Sequence, residues 1–380
     1  MSENNLNIQM VDLKSQYMKI KPQVDQAIND VLSSTQFING EHVKSFQNEL
    51  AAYLDVKHVI TCANGTDALQ ISMMALGLKP GDEIITPSFT YIATTEVIGL
   101  LGLKPVFVDC NPENFNISVD EVEKAITKKT KAIVPVHLFG QSSDMKSIMS
   151  LAKKYNLFVI EDNAQAIGSD YLGFNQPQKT GTIGNIGCTS FFPSKNLGCF
   201  GDGGAMMTND DELAKKLRMI ANHGQSKRYY HDIVGCNSRL DNIQAAVLRI
   251  KLKELDQYIL NRQKAANYYD QNLKDLDQLT LPFRNLDSNH VFHQYTLKLD
   301  DSIVRDELIQ YLAEKNIPAM VYYPVPAHRQ KMFSKIPNSY GNMKVTNWLS
   351  SRVFSLPMHT ELSTLQQDYI IENISNFLNK

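Results

Sequence analysis

The stretch from Cys188 to Gly204, CTSFFPSKNLGCFGDGG, contains one lysine, Lys195, preceded by Pro193 and Ser194 and followed by glycine-rich sequence. Among aromatic and small residues an ammonium group loses solvation, which favours the free amine and makes the side chain a plausible nucleophile. Alone, such a lysine says little, so the other chemically able segments have to be weighed with it. The run LFVI leads straight into Glu161, Asp162, Asn163, Ala164 and Gln165, placing acid and amide groups at the carboxyl end of a predicted strand. Open α/β sheets bind ligands at that end of their strands. An aspartate there stays ionised beside a protonated ring nitrogen, because the adjacent opposite charge lowers its pKa. The plainer reading of Asp162 is a helix N-cap.

Two further segments could hold parts of a flat, anionic ligand. In HVITCANGTDALQISMMALGL a short strand from His58 and a turn at Ala63 to Gly65 open a helix near Thr66. Outward-pointing N–H groups backed by a helix dipole make an anion site of Gly65 and Thr66; an ordinary capped helix is the alternative. In DEIITPSFTYIATTE a helix is predicted from Thr90, with Tyr91 in its first turn and free to lie over a flat ligand, unless the ring is simply core. No GxGxxG and no GxxxxGK[ST] occurs, so dinucleotide and NTP readings lack their motifs.

The elements that must position these groups alternate. Predicted helices over Ser118 to Thr127 and Ser143 to Tyr155 separate predicted strands over Pro105 to Asp109, Lys131 to Val136 and Leu157 to Glu161. Such alternation argues for an α/β fold with a largely parallel sheet covered on both faces. Ahead of it, two amphipathic helices are expected, one before Phe37 and one over His42 to Leu54. A long polar segment, HGQSKRYYHDIVGCNSRLD, precedes a long helix expected near Arg239. A structureless loop of that length suggests function or a partner contact, and its Asn237 and Arg239 suit anionic groups. From Lys251 the texture changes to a long charged helix, the strand-like QYTLKL, and a helix from Arg305. The turn IPAMVYYPVPAHRQ and a last helix near Leu365 follow, giving a smaller α+β unit.

At 380 residues the chain should form about two domains. We expect a large domain over residues 1–250 and a small one over 251–380. With 38 basic and 40 acidic residues and a net charge of −2, nothing argues for nucleic acid or a membrane surface as partner. Five scattered cysteines with no CxxC pair fit a reducing compartment and argue against a metal site or disulfide framework. The N-terminal MSENNLNIQMVDL lacks a basic segment followed by an apolar run, so a cytoplasmic protein is expected.

Taken together, VDLKSQY, CANGTDALQ, TPSFTYIATTE, VHLFGQ, VIEDNAQAIGS, SFFPSKNLG, GDGGA, HGQ, NSRLDNIQAA and SLPMH, in this order over nearly the whole chain, resemble the DegT/DnrJ/EryC1/StrS family of sugar aminotransferases. The resemblance implies the type I aminotransferase fold and pyridoxal 5′-phosphate as cofactor. It makes Lys195 the lysine that binds the cofactor covalently and shuttles the proton, and Asp162 the partner of its pyridinium nitrogen. Gln165 falls to the ring hydroxyl, Tyr91 to the ring face, and Gly65, Thr66 and Ser190 to the phosphate. It implies a homodimer with shared active sites, in which Asn237 reaches the neighbour's phosphate and Arg239 its sugar. L-Glutamate, leaving as 2-oxoglutarate, is the implied amino donor.

Relatives with histidine in place of the lysine dehydrate instead, so Lys195 favours transamination. The motifs look closest to enzymes that aminate C3 of a UDP-linked 2-acetamido-2-deoxy-3-ketoglucuronate, in the making of cell-surface polysaccharides such as the O-antigen of lipopolysaccharide. Those enzymes carry a His-Tyr pair where this chain has Tyr322 and Tyr323, both assigned to the substrate. A tyrosine donates a hydrogen bond but brings no charge, which keeps UDP-3-keto-N-acetylglucosamine and a dTDP-3-keto-6-deoxyhexose open. A non-catalytic sensor on the same fold is the rival of another class.

Overall fold

The protein, as a computed structural model, is described over residues 6–379. Residues 1–5, part of the stretch expected to carry no targeting segment, lie outside the described residues. Its centre is an eight-stranded sheet. The strands run in the order His58–Cys62 (β1), Gly204–Thr208, Ile186–Ser190, Phe158–Asp162 (β5), Thr130–Ile133 (β4), Glu83–Pro87 (β2), Lys104–Val108 (β3) and Ser339–Tyr340. All pairings are parallel except those of Gly204–Thr208, which is antiparallel to both neighbours. Two reversals restore direction, so β1, β2, β5 and Ile186–Ser190 all point their carboxyl ends to one edge.

The residues explain the arrangement. Val59, Ile60, Ile84, Ile85, Ile133, Val159, Ile160 and Ile186 are all buried, the apolar runs expected of a sheet covered on both faces. The covering helices start where short polar side chains take their first N–H groups. Asn64 caps Gly65–Ala75 (α3), Ser118 caps Val119–Ala125, Asp144 caps Met145–Tyr155 and Asp210 caps Asp211–Ile220.

One 32-residue helix, Asn242–Leu273, about 48 Å long at 1.5 Å per residue, serves two cores. Its Leu248, Leu252 and Leu255 pack with Phe46 and Leu50 of the second helix, Glu41–Leu54. Its Ala265, Tyr269 and Leu273 pack with Tyr295, Leu297 and Phe354 of a separate three-stranded antiparallel sheet. The boundary expected at residue 250 falls inside this helix. Among the described residues no helix is long and apolar enough to cross a membrane, and all five cysteines are free.

Two local expectations need correction. The helix after β2 runs over Ala93–Leu100 (α4) and not from Thr90, because Ile92 supplies the first helical carbonyl, to Thr95 and Glu96 at 2.9 Å each. Tyr91 therefore stands on the approach to the helix. The long polar segment is not structureless: Gln225–Lys227 pairs with Tyr230–His231 as a hairpin. Arg239 also precedes the long helix, since Asp241 bridges to Ile38 and Asn242 N–H bonds Phe37 O at 2.9 Å, which keeps that approach extended.

Candidate active site

The shared edge of the sheet brings together side chains from across the chain. At the end of β5 the buried Asp162 accepts the Thr94 hydroxyl on Oδ2 at 2.7 Å and the Ala164 N–H on Oδ1 at 3.1 Å. These two donors leave the carboxylate with lone pairs to spare. Lys195 follows the strand Ile186–Ser190 in a turn held by its own N–H to Phe192 O, 2.8 Å. The lysine is half-buried and makes no hydrogen bond or ion pair among the described residues. Burial pushes its pKa down to about 8, against the opposing pull of the Asp162 charge. Lys195 and Asp162 thus lie within electrostatic reach of each other at the same edge of the sheet, and the amine is freed more readily than that of a solvated lysine.

The turn expected to hold an anion lies at the start of α3. Gly65 is its first residue, and a β-carbon there would stand 2.7 Å from Cβ of Ser190. Only glycine lets the two backbones approach so closely. A β-carbon on Gly204 would fall 2.4 Å from the Asn64 carbonyl carbon, so the GDGG run gives the same turn room from the other side. Gly65, Thr66 and Ser190 are thus neighbours at one helix N-terminus, all half-buried and open to a ligand.

Gln165 is buried and engaged at both ends. Its Oε1 accepts Phe139 N–H at 2.7 Å and its Nε2 donates to the Tyr323 hydroxyl at 2.9 Å. One amide proton remains for another acceptor. Tyr323 in turn faces Tyr91, ring centroids 6.2 Å apart, while Tyr91 is 58% exposed and so offers a free face. Burial raises the Tyr322 and Tyr323 phenols above their ordinary value. Both tyrosines remain neutral.

Asn237 and Arg239 are not drawn into this cluster. Asn237 is exposed, Arg239 half-buried, and neither side chain has a hydrogen-bond or ionic partner among the described residues. The residue between them, Ser238, is fully buried.

Sequence reasoning missed several groups. Thr94 stands inside the quoted TPSFTYIATTE, yet nothing local says that its hydroxyl meets Asp162, 68 residues away. Behind Asp162, Glu161 and His137 form a fully buried pair at 2.9 Å. His293 is buried beside Lys195, and burial, then the Lys195 and Arg262 charges, hold it well below the imidazole range as a neutral ring.

A family model, the DegT/DnrJ/EryC1/StrS aminotransferase family, matches residues 18–375. The chain belongs to that family. Among curated relatives, this aminotransferase is 45% identical to a "Pleiotropic regulatory protein" of Geobacillus stearothermophilus over 98% of the chain and 99% of the relative. It is 44% identical to the UDP-2-acetamido-2-deoxy-3-oxo-D-glucuronate aminotransferase of Pseudomonas aeruginosa, over 97% and 100%. It is also 44% identical to the UDP-N-acetyl-3-dehydro-alpha-D-glucosamine 3-aminotransferase of Acidithiobacillus ferrooxidans, over 94% of each. A family member from Brucella abortus superposes with a TM-score of 0.92 at 40% identity, over 98% of this chain and 100% of that one. NtdA of Bacillus subtilis, solved with bound cofactor PMP, gives 0.89 at 30% identity, over 100% and 87%.

The cofactor of this family is pyridoxal 5′-phosphate, and the aminotransferase has room and donors for it. The Gly65–Ser190 approach that a side chain would close, the unpaired Lys195 amine and the under-used Asp162 carboxylate fit its phosphate, aldehyde and ring nitrogen.

Proposed function

We propose that this enzyme transfers the amino group of L-glutamate to C3 of a nucleotide-linked 3-keto sugar, in the making of amino sugars for cell-surface polysaccharide. The observation that carries the reading is the half-buried, unpaired Lys195 opposite Asp162 on the edge that also holds the Gly65–Ser190 cradle. Bound pyridoxal phosphate supplies a carbonyl that captures amines and a ring that withdraws electrons.

The chain's own groups do the rest. Lys195 would tether the cofactor and, once released as a free amine, would carry the proton from Cα of glutamate to the cofactor's aldehyde carbon and, in the second half, from that carbon to C3 of the sugar. Glutamate leaves as 2-oxoglutarate and the sugar exchanges its keto oxygen for an amine. Asp162 holds the proton on the ring nitrogen, Gln165 has one amide proton for the ring hydroxyl, and Tyr91 covers the ring. Gly65, Thr66 and Ser190 take the phosphate.

Asn237 and Arg239 have no side-chain partner among the described residues, which supports a homodimer in which each completes the neighbour's site. The same loop exposes Tyr229, Tyr230, Ile233 and Val234, an apolar set that a second copy would cover.

For the sugar we favour UDP-2-acetamido-2-deoxy-3-keto-glucuronate, because the Arg239 guanidinium is free to pair a C6 carboxylate. The neutral Tyr322 favours a second reading, an uncharged C6 group as in UDP-3-keto-N-acetylglucosamine or a dTDP-3-keto-6-deoxyhexose. Incubating enzyme and glutamate with the three 3-keto nucleotide sugars, and weighing the products by mass spectrometry, separates the readings. Purified enzyme should be yellow and should bleach with L-glutamate. Colour without bleaching would support the sensor instead, and Lys195→Ala with near-normal turnover would remove the mechanism.

A further inference from the structure

Asn237, Ser238 and Arg239 lie on an extended stretch pinned on one side to the end of the helix Asp211–Ile220. Cys236 N–H bonds Ile220 O at 2.8 Å, Ser238 N–H bonds Ala221 O at 3.0 Å, and His223 N–H bonds Cys236 O at 2.8 Å. Side chains along extended backbone alternate in direction. Ser238 therefore turns inward, fully buried, while Asn237 and Arg239 turn toward solvent.

The inward side chain meets the turn that opens α3. Ser238 Oγ accepts the Ala63 N–H at 3.0 Å and donates to Oδ2 of Asp67 at 2.6 Å, and Asp67 N–H bonds Asn64 Oδ1 at 2.8 Å. One serine thus links the phosphate cradle of its own subunit to the two outward side chains, which have no partner among the described residues. The bond to Asp67 is charge-assisted, the stronger kind.

We propose that Ser238 is a positioning residue for the neighbouring subunit's active site, fixing the backbone from which Asn237 and Arg239 reach across. The inference rests on the shared-site reading above. Arginine is rich in rotamers and costly to order, so a base locked on both sides is what lets it meet a sugar with little further loss. The competing role for Ser238 is purely local, a cap for its own cradle.

Hybrid dimers of differently tagged subunits tell these apart. The control pairs Lys195→Ala with Arg239→Ala: sharing predicts one intact site and about half of the wild-type turnover per dimer, whereas separate sites leave the hybrid as crippled as its parents. For Ser238→Ala as a homodimer, at saturating cofactor, KM for the nucleotide sugar should rise about tenfold while the glutamate half-reaction stays within about twofold. Ser238→Thr, which keeps the hydroxyl, should restore KM, and Ser238→Cys gives a milder lesion if the alanine variant folds poorly.

The deciding hybrid joins Lys195→Ala to Ser238→Ala. Its working lysine sits on the Ser238→Ala subunit and receives its loop from the other, so sugar KM should return to within about twofold of wild type. A KM that stays raised while the control hybrid is active overturns the inference and leaves sharing intact. An inactive control overturns both. A Ser238→Ala homodimer with unchanged KM overturns the inference alone.

Discussion

Thr94 donates its hydroxyl proton to Oδ2 of Asp162 at 2.7 Å, with both side chains buried. Thr94 lies in the first turn of α4 and Asp162 at the end of β5, so the bond sets the plane of the carboxylate against an independent element. The Thr90 hydroxyl lies 3.1 Å from that of Thr94 and can orient it in turn. Thr94→Val keeps the shape and removes the donor, leaving one oxygen of a buried acid short of a bond at a cost of about 1.5–3 kcal/mol. If the acid must hold the ring-nitrogen proton in place, kcat in both half-reactions should fall about ten- to a hundredfold. Thr94→Ser should recover most of it. Wild-type rates in the valine variant, followed by cofactor absorbance, would remove Thr94 from the site.

Gly65 has a different kind of neighbour. A methyl group placed there would push Ser190 from 2.7 Å, with strand backbone at 3.3 Å behind it. Something must open, and the element that can move is the start of α3, whose N–H groups we assign to the phosphate. Gly65→Ala should keep the fold, as the thermal transition will report, but raise the dissociation constant for pyridoxal phosphate by about tenfold or more. An unchanged cofactor titration would show that the phosphate lies elsewhere.

Lys195 carries the pH dependence. Its pKa is lowered from 10.5 to about 8 by burial, while Asp162 pulls it upward. Capture of the cofactor aldehyde needs the free amine, so the recombination rate of cofactor-free enzyme should rise with pH through about 8 and level off above. Asp162→Asn removes the charge that stabilises the ammonium, and the midpoint should then move down. Stopped-flow absorbance across pH 6 to 10, a range of about two units each side, reads both. A midpoint near the ordinary lysine value would mean that the amine is solvated in solution.

Where Lys195, Asp162 and Gly65 lie relative to the sheet was legible in the sequence, for a physical reason. Asp162 ends a strand, Gly65 starts a helix and Lys195 stands in the turn that follows a strand, and strand ends and helix starts announce themselves in local sequence, through apolar runs and capping residues. What was not legible depends on pairs far apart in the chain. Thr94 and Asp162 meet only because β2 and β5 flank β4, and Ser238 meets Asp67 across 171 residues. Tyr91 was placed one turn too far into its helix because threonines suit caps as well as first turns, and only the Ile92 carbonyl decides between them. The hairpin in the polar loop escaped notice because neither strand exceeds three residues, too short for alternation to register.

The pair behind the acid gives the last prediction. Glu161 is fully buried, and four donors converge on it: Gly181 N–H at 2.8 Å, Ile183 N–H at 2.7 Å, Gly184 N–H at 2.6 Å and His137 Nε2 at 2.9 Å. His137 Nδ1 accepts Ser143 N–H at 3.1 Å, so Nε2 carries the proton and the ring need not be charged to serve. The carboxylate thus welds the loop at 181–184 to the strand end that presents Asp162. Glu161→Ala strands all four donors, and about 3–5 kcal/mol of stability should go. Glu161→Gln still accepts on one side but turns its amide protons toward donors, for which about 2 kcal/mol is expected. Denaturant titration gives both losses. Since Glu161 does not face the cleft, glutamine should lower the unfolding midpoint more than it lowers kcat, and the reverse order would place Glu161 among the groups that touch the reaction.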